Sequence, residues 1–141
     1  MRKIVVVLCA LVPSAVILGG QAIASGGTRV ITVKMAGKQE MPKGDLDGAG
    51  SATITLKRAS GKVCYRLSWS KIGTPNASHI HKGAKGKAGP VVVALFGSPP
   101  KHSGCVTAKK TLIAAIERNP RGYYVNVHTK KYAAGAIRGQ L

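Results

Sequence analysis

The segment Ala77-Ser-His-Ile-His-Lys-Gly-Ala-Lys-Gly-Lys-Ala-Gly-Pro90 is the part of the chain around which the other elements are predicted to assemble. Side chains of a β-strand alternate between its two faces, so His79 and His81 share one face while Ile80 points to the other. The chain continues into a loop of lysines and glycines and becomes strand-like again at Val91. The segment therefore predicts two strands joined by a mobile basic loop.

A second segment near the C-terminus, Tyr123-Tyr-Val-Asn-Val-His-Thr129, shows the same alternation. Its two valines occupy one face of the predicted strand, and Tyr124, Asn126 and His128 occupy the other. If this strand lies beside the first, three of the four histidines of the chain gather on one surface, namely His79, His81 and His128.

The remaining periodicity predicts a mostly β fold. Alternating apolar residues predict strands at 29–36, 52–57 and 63–69, and the tight turn Ser60-Gly61 joins the last two as a hairpin. The apolar run Val91–Phe96 is typical of a strand buried on both faces or of an inner strand of a sandwich. Apolar residues at helical spacing within 107–119 predict one short helix that ends at Asn119-Pro120. About seven short strands with frequent turns predict a small antiparallel β-sandwich.

The N-terminal segment has the features of a signal peptide. Met1-Arg2-Lys3 is positively charged, an apolar run follows to Leu18, and Ala22-Ile23-Ala24 matches the small-x-small pattern of a cleavage site. The run is shorter than the about 20 apolar residues that a membrane span needs. We therefore expect residues 1–24 to be a signal peptide and residues 25–141 to form one secreted or cell-envelope domain without a membrane span. An uncleaved membrane anchor is the alternative.

Two cysteines, Cys64 and Cys105, follow the predicted signal peptide. In an exported protein such a pair predicts a disulfide, which would close a loop of about 40 residues and contribute about 4 kcal/mol in the chain-entropy treatment. Cys64 lies on the less apolar face of its strand, so the bridge would tie the outside of a sheet to a later loop. Two buried thiols are the alternative.

Positive charge is the strongest feature of the composition. The chain has 22 Lys and Arg against 4 Asp and Glu, and loss of Arg2 and Lys3 with the signal peptide leaves a net charge of +16. Such a charge attracts polyanions, and the attraction weakens with salt. Lys82, Lys85 and Lys87 would form the centre of a basic surface that adheres to an anionic cell-envelope polymer or to another surface protein. Specific nucleic-acid binding is a poor fit, because no recognition helix or aromatic stacking strip is present. Charge that only keeps an exported protein soluble is the simpler interpretation.

Enzymatic interpretations find little support. No serine has a histidine and an acid in a recognisable local motif, and the two cysteines are better used in a bridge. With 4 acids in the chain, chemistry based on paired carboxylates has few candidates. The sequence therefore predicts a binding protein and no enzyme.

Five motifs in a fixed order resemble those of one family: Gly37-Lys-Gln-Glu-Met-Pro42, His79-Ile-His81, Gly89-Pro-Val-Val-Val93, Tyr124-Val-Asn-Val-His-Thr129 and Gly135-Ala-Ile-Arg-Gly-Gln-Leu141. Together they resemble the CHRD domain, first named from repeats of the animal protein chordin and also found in exported bacterial proteins. The resemblance covers essentially the whole mature chain. It implies an immunoglobulin-like antiparallel β-sandwich or barrel in secreted or surface proteins, and a function less firmly. Family members often carry Glu where this chain has Ala136, so any role of that acid is absent here.

Two interpretations of the histidines are open. Imidazoles at i and i+2 on one strand, with a third from a neighbour, suit copper or zinc, so His79, His81 and His128 are candidate metal ligands. Alternatively His79 and His81, with Asn126 and Thr129, hydrogen-bond to one another and to the backbone and hold two strands and the lysine loop together. No acid is placed to support the ligands, and the positive domain repels cations.

Glu40 and Arg138 form a second candidate pair. They lie in matched motifs at opposite ends of the domain, where the first and last strands of a sandwich often meet. We expect an ion pair that positions the two ends, with Asp45 or Asp47 as a substitute partner for Arg138.

Overall fold

The computed structural model describes residues 27–141, so the predicted signal peptide at 1–24 lies outside the described residues. Eight strands, one α-helix and two short 3-10 turns follow one another along this part of the chain. In chain order they are β1 (Thr28–Ala36), the turn Gly37–Gln39, β2 (Ala49–Lys57), β3 (Lys62–Ser70), β4 (Pro75–Lys82), β5 (Val91–Phe96), β6 (Ser103–Thr107), α1 (Lys110–Arg118), the turn Pro120–Gly122, β7 (Tyr123–Thr129) and β8 (Ile137–Gln140).

All eight strands belong to one antiparallel sheet with the order β5-β4-β7-β8-β1-β2-β3-β6. The sheet curls into a nearly closed barrel, so the mostly β, antiparallel prediction is confirmed in its barrel form. The two edge strands approach each other where Phe96 of β5 packs against Tyr65 and Trp69 of β3, with ring centroids 6.4 and 6.0 Å apart. β1 and β8, the first and last strands, are neighbours in the sheet, as the sequence led us to expect.

The core lies inside the barrel because each strand presents alternate apolar residues to it. In β2 these are Ala52, Ile54 and Leu56, each fully buried. The apolar side of α1 contributes Ile113 and Ile116 to the same core. Within residues 27–141 no helix has the length and apolar character that a membrane crossing requires.

Two details of the strand prediction are wrong. The run Val91–Phe96 is an edge strand, and Val91 keeps 49% of its surface exposed, so the run is not buried on both faces. Its buried members, Val93, Leu95 and Phe96, face the core. Because the exposed residues of the strand are also apolar, the sequence shows a continuous apolar run and no alternation. The second error is the loop expected before Cys105, because residues 103–107 form β6.

The disulfide Cys64–Cys105 is present, but it joins two strands and not a strand to a loop. The two cysteines are directly opposite each other in the antiparallel pair β3–β6, with a Cα–Cα distance of 3.9 Å. As expected, the bridge lies on the outer face of the sheet: Cys105 is exposed and Cys64 is partly exposed. The disulfide therefore fastens the edge strand β6 to its neighbour.

Candidate metal centre

The register of two central strands brings the three predicted histidines together. β4 and β7 are antiparallel neighbours, with Ala77 opposite His128 and His79 opposite Asn126. One ring nitrogen from each of His79, His81 and His128 lies within 4.8 Å of the others. His81 and His128 are buried and His79 is partly exposed, so the cluster is reached from solvent on the side of His79. This grouping follows from the alternation in each strand and from their pairing.

His81 is held by a backbone carbonyl and by an aromatic ring. Its Nδ1 atom lies 2.8 Å from the carbonyl oxygen of Gly89, and because a carbonyl only accepts, Nδ1–H is the donor. The neutral ring then carries a lone pair on Nε2, which is buried and has no hydrogen-bond partner among the described residues. The ring stacks on Tyr124 at a centroid distance of 4.8 Å and an interplanar angle of 7°. His81 therefore points an unpaired acceptor into the cluster in a fixed direction.

His128 is oriented in the same way. Its Nδ1–H donates to the carbonyl of Ala133 at 3.0 Å. Its Nε2 atom lies 3.0 Å from Nδ1 of His79 and 2.9 Å from Oδ1 of Asn126. With the proton on Nδ1, Nε2 is an acceptor, so His79 N–H can donate to it, whereas Asn126 Oδ1, also an acceptor, cannot. In metal sites a ligating histidine commonly donates its second ring N–H to a backbone carbonyl, which fixes the tautomer and directs the other nitrogen to the metal. Both buried histidines show this arrangement.

The surroundings favour neutral imidazoles. Burial, together with the neighbouring His128 and His81, lowers the pKa of His79 to about 4. Burial also lowers the pKa of His128, against the hydrogen bond to Ala133. Metal ions bind the neutral ring, so both histidines are in the ligand form at neutral pH.

A buried acid lies behind the cluster. Glu40 is 2% exposed, and burial raises the pKa of its carboxyl from 4.5 to about 7, against the opposite effects of the neighbouring Asn126 amide and of the charge of Arg138. Asn126 separates Glu40 from His128, and it contacts Nε2 of that histidine. Sequence patterns do not predict that this acid lies near the histidines, because Glu40 is far from them along the chain.

The expected ion pair between Glu40 and Arg138 does not form. Among residues 27–141 the ion pair present is Arg58–Glu117, at 3.5 Å. Arg138 is 1% exposed, and its guanidinium lies over the ring of Tyr124 at 3.4 Å. Its N–H groups donate to the carbonyls of Lys87 and Ala84 at 2.9 Å each, which satisfies them without a carboxylate.

These contacts anchor the lysine loop beside the histidines. Gln140 donates to the carbonyl of Gly83 at 2.9 Å, and Gly89 N–H donates to the hydroxyl of Tyr124 at 3.2 Å. The loop residues Lys82, Lys85 and Lys87 keep exposed side chains. Thr129, also expected to be structural, accepts a hydrogen bond from Tyr132 N–H at 3.2 Å in the turn that carries Ala133.

The polar atoms without partners lie close to this site. Within residues 27–141, the buried side-chain polar atoms that lack a hydrogen-bond partner are Glu40 Oε1, His81 Nε2 and Asn126 Nδ2. Such atoms are rare in proteins and indicate a bound water, an ion or a functional role. His81 Nε2, with the nearby nitrogens of His79 and His128, fits a borderline metal ion such as Zn²⁺ or a copper ion.

The barrel-like sheet, with polar groups converging on one side, defines a small β-type binding domain. The family model for the CHRD domain matches residues 31–141, and the chain belongs to this family. It is a family of extracellular, non-enzymatic interaction domains. Comparison with curated proteins and with solved structures found no match.

Proposed function

We propose that this domain is an extracellular metal-binding module that holds copper or zinc through His79, His81 and His128. One observation carries the proposal: His81 donates its Nδ1 proton to Gly89 and leaves Nε2 buried and unpaired, in a cluster of three histidines that each offer a ring nitrogen within 4.8 Å of the others. In a purely structural histidine this nitrogen would be expected to have a hydrogen-bond partner, because an unpaired buried acceptor costs free energy.

The chemistry of the cluster supports the same function. Three imidazoles are a frequent ligand set for zinc and are suited to copper, and a water or an external group completes the coordination. The net charge of +16 on residues 27–141, which already counts Glu40 as ionised, opposes cation binding. We therefore expect metal affinity to rise with ionic strength, because salt screens the repulsion.

The test is a titration of the untagged protein with Zn²⁺ and, under reducing conditions, with Cu⁺, followed by measurement of bound metal. We expect one metal per chain and a loss of affinity of about 100-fold in His81→Ala, since one of few ligands is lost. His102→Ala is the matched control, because His102 stacks on Trp69 at 4.0 Å, outside the cluster. Absence of tight binding by the wild type, or equal losses in both variants, would contradict the proposal. If His81→Ala lowers the melting temperature and leaves metal binding unchanged, the histidines are structural.

A second candidate function is adhesion to an anionic polymer of the cell envelope through a positive surface that includes Lys82, Lys85 and Lys87. The observation in its favour is the anchoring of the lysine loop by Arg138 and Gln140, which presents these charges on a fixed backbone. Grooves of about 300 and 560 Å³ flank Lys85 and are also lined by Lys38 and Arg121. Retention on an anionic resin that falls with salt, and falls further after Lys85→Gln with Lys87→Gln, would support this function. Retention unchanged by these substitutions would exclude the loop.

A further inference from the structure

One face of the barrel combines positive charge with hydroxyl groups and contains no acid. The strands β1, β2, β3 and β6 point alternate residues outward, and none of the four strands contains Asp or Glu. The outward cations are Lys34, Lys57, Lys62 and Arg66. We call this outer surface of β1, β2, β3 and β6 the cationic sheet face.

The register places these cations in ordered rows. Lys57 lies directly opposite Lys62, and Arg66 lies opposite Thr53 in β2 and opposite Ser103 in β6. Like charges directly opposite each other on neighbouring strands destabilise a sheet. A bound anion would reverse this effect at Lys57 and Lys62. Lys62 meanwhile donates to Thr107 Oγ1 at 3.0 Å, and Arg66 forms no ion pair within the described part of the chain.

Hydroxyl groups occupy most of the space between the cations. Thr32 and Thr53 share a hydrogen bond of 3.2 Å, and Ser51 and Ser68 share one of 2.8 Å. The hydroxyl of Thr55 has no partner among residues 27–141, and it lies in a groove of about 450 Å³. The other lining side chains include Thr53, Arg66, Ser103 and the cystine Cys64–Cys105.

We propose that the cationic sheet face is a docking surface for a linear acidic polysaccharide. The carboxylate or sulfate groups of the polymer pair with Arg66, Lys57 and Lys62, and Arg66 can bind such a group with two N–H donors. The sugar hydroxyls exchange hydrogen bonds with Thr55 and Ser103, and the cystine offers an apolar floor for the sugar ring. This inference rests on the second proposed function, from which it takes an anionic polymer as the partner. It differs in the surface that binds the polymer, and it names the polymer as a polysaccharide.

Charge and hydroxyl groups together favour a sugar polymer over other polyanions. A polyphosphate would be attracted by the cations and would accept hydrogen bonds from the hydroxyl groups, but it has no hydroxyl group of its own to donate in return. An acidic polysaccharide uses both kinds of group along one extended surface. The outer surface of four neighbouring strands also suits a long chain, because strands about 4.8 Å apart present polar groups at regular intervals across it.

The experiment compares two triple variants of the protein, each of which removes three positive charges. One replaces Lys57, Lys62 and Arg66 by Gln, and the other replaces Lys82, Lys85 and Lys87 by Gln. Both are produced with the native N-terminal segment in an exporting host, and their melting temperatures are compared with that of the wild type to show that they are folded. Binding to alginate, a polyuronate, is measured at several salt concentrations, with polyphosphate as the comparison polymer.

We expect the sheet-face variant to lose about 10-fold or more in alginate affinity and the loop variant to lose about 3-fold or less. Each lost charge–anion contact lowers the logarithm of the affinity, and the loop charges lie outside the proposed contact surface. Thr55→Val should weaken binding to alginate more than binding to polyphosphate, because a sugar hydroxyl can both donate to and accept from Thr55 whereas phosphate can only accept. Equal losses in the two triple variants, or a silent Thr55→Val, would overturn this inference and leave a purely electrostatic attraction. A loss confined to the loop variant would overturn it and support the second proposed function. Absence of alginate and polyphosphate binding by the wild type would contradict both.

Discussion

At the scale of single residues, Glu40 contributes a decline of stability with rising pH, against an opposite contribution from His79 and His128. Burial raises its pKa from 4.5 to about 7, so between these values the folded chain holds a proton that the unfolded chain has released. Stability rises with pH only where the unfolded state binds more protons, and here the folded state binds more. The contribution of Glu40 is therefore most favourable below pH 4.5 and declines until the pH passes about 7.

Glu40→Gln should remove this decline, because the amide keeps the shape of the side chain and does not ionise. The difference in unfolding free energy between variant and wild type should grow from near zero at pH 4 to at most about 3 kcal/mol at pH 8. Urea unfolding of the metal-free proteins across this range measures it, and opposing contributions from the histidines cancel in the difference. Glu117→Gln, which removes a carboxylate from the ion pair with Arg58, is the control and should give a difference of about 1 kcal/mol or less. A pH-independent difference for Glu40→Gln would contradict the assignment.

Sequence alone predicts the three clustered histidines of the candidate site but not the groups that orient their rings. The period of two in a strand places His79, His81 and His128 on one side once β4 and β7 are neighbours. The groups that orient these rings could not be predicted, because the carbonyls of Gly89 and Ala133 belong to loops whose course no periodicity describes. The ion pair was wrongly predicted for a related reason. Sequence alone did not show that backbone carbonyls would satisfy the guanidinium of Arg138.

At the scale of elements, the turn between β7 and β8 packs closely against the side chain of Glu40. Gly135 has φ +138°, and a Cβ atom there would lie 2.0 Å from Glu40 Oε1. Gly135→Ala should therefore destabilise the fold by more than backbone strain alone, which costs about 1–3 kcal/mol. Gly86→Ala is the matched control, because Gly86 has φ +74° with no atom within 4 Å of the added Cβ. Chemical denaturation of both variants tests this, and equal losses of stability would show that the contact with Glu40 is not tight.

The same scale shows which elements can be predicted from sequence. The sequence predicts β1, β2 and β3 because each strand has one apolar face, and the turn at Gly61 marks the hairpin of β2 and β3. β6 was missed because its five residues, Ser103–Thr107, include Gly and hydroxyl side chains and carry almost no apolar signal. It pairs with β3 through backbone hydrogen bonds and the disulfide, and neither leaves a periodic pattern.

At the scale of the whole molecule, repulsion among like charges is the main long-range force. Residues 27–141 carry a net charge of +16, and one ion pair is present within them. Self-repulsion at high net charge destabilises the compact state, and salt screens it: the Debye length falls from about 30 Å at 0.01 M to about 10 Å at 0.1 M. Adding NaCl over this range should therefore raise the melting temperature of the metal-free protein.

The rise in melting temperature with salt has an expected size, and charge variants test whether screened repulsion causes it. If screening contributes about 1 kcal/mol, the melting temperature should rise by about 4 °C for a domain of this length. Lys85→Glu with Lys87→Glu lowers the net charge by four and should reduce both the repulsion and the response to salt. The two side chains are exposed, so packing is unaffected. A melting temperature that falls with salt would mean that attractive pairs dominate, and an unchanged response in the double variant would mean that the salt acts at bound-anion sites and not through net charge.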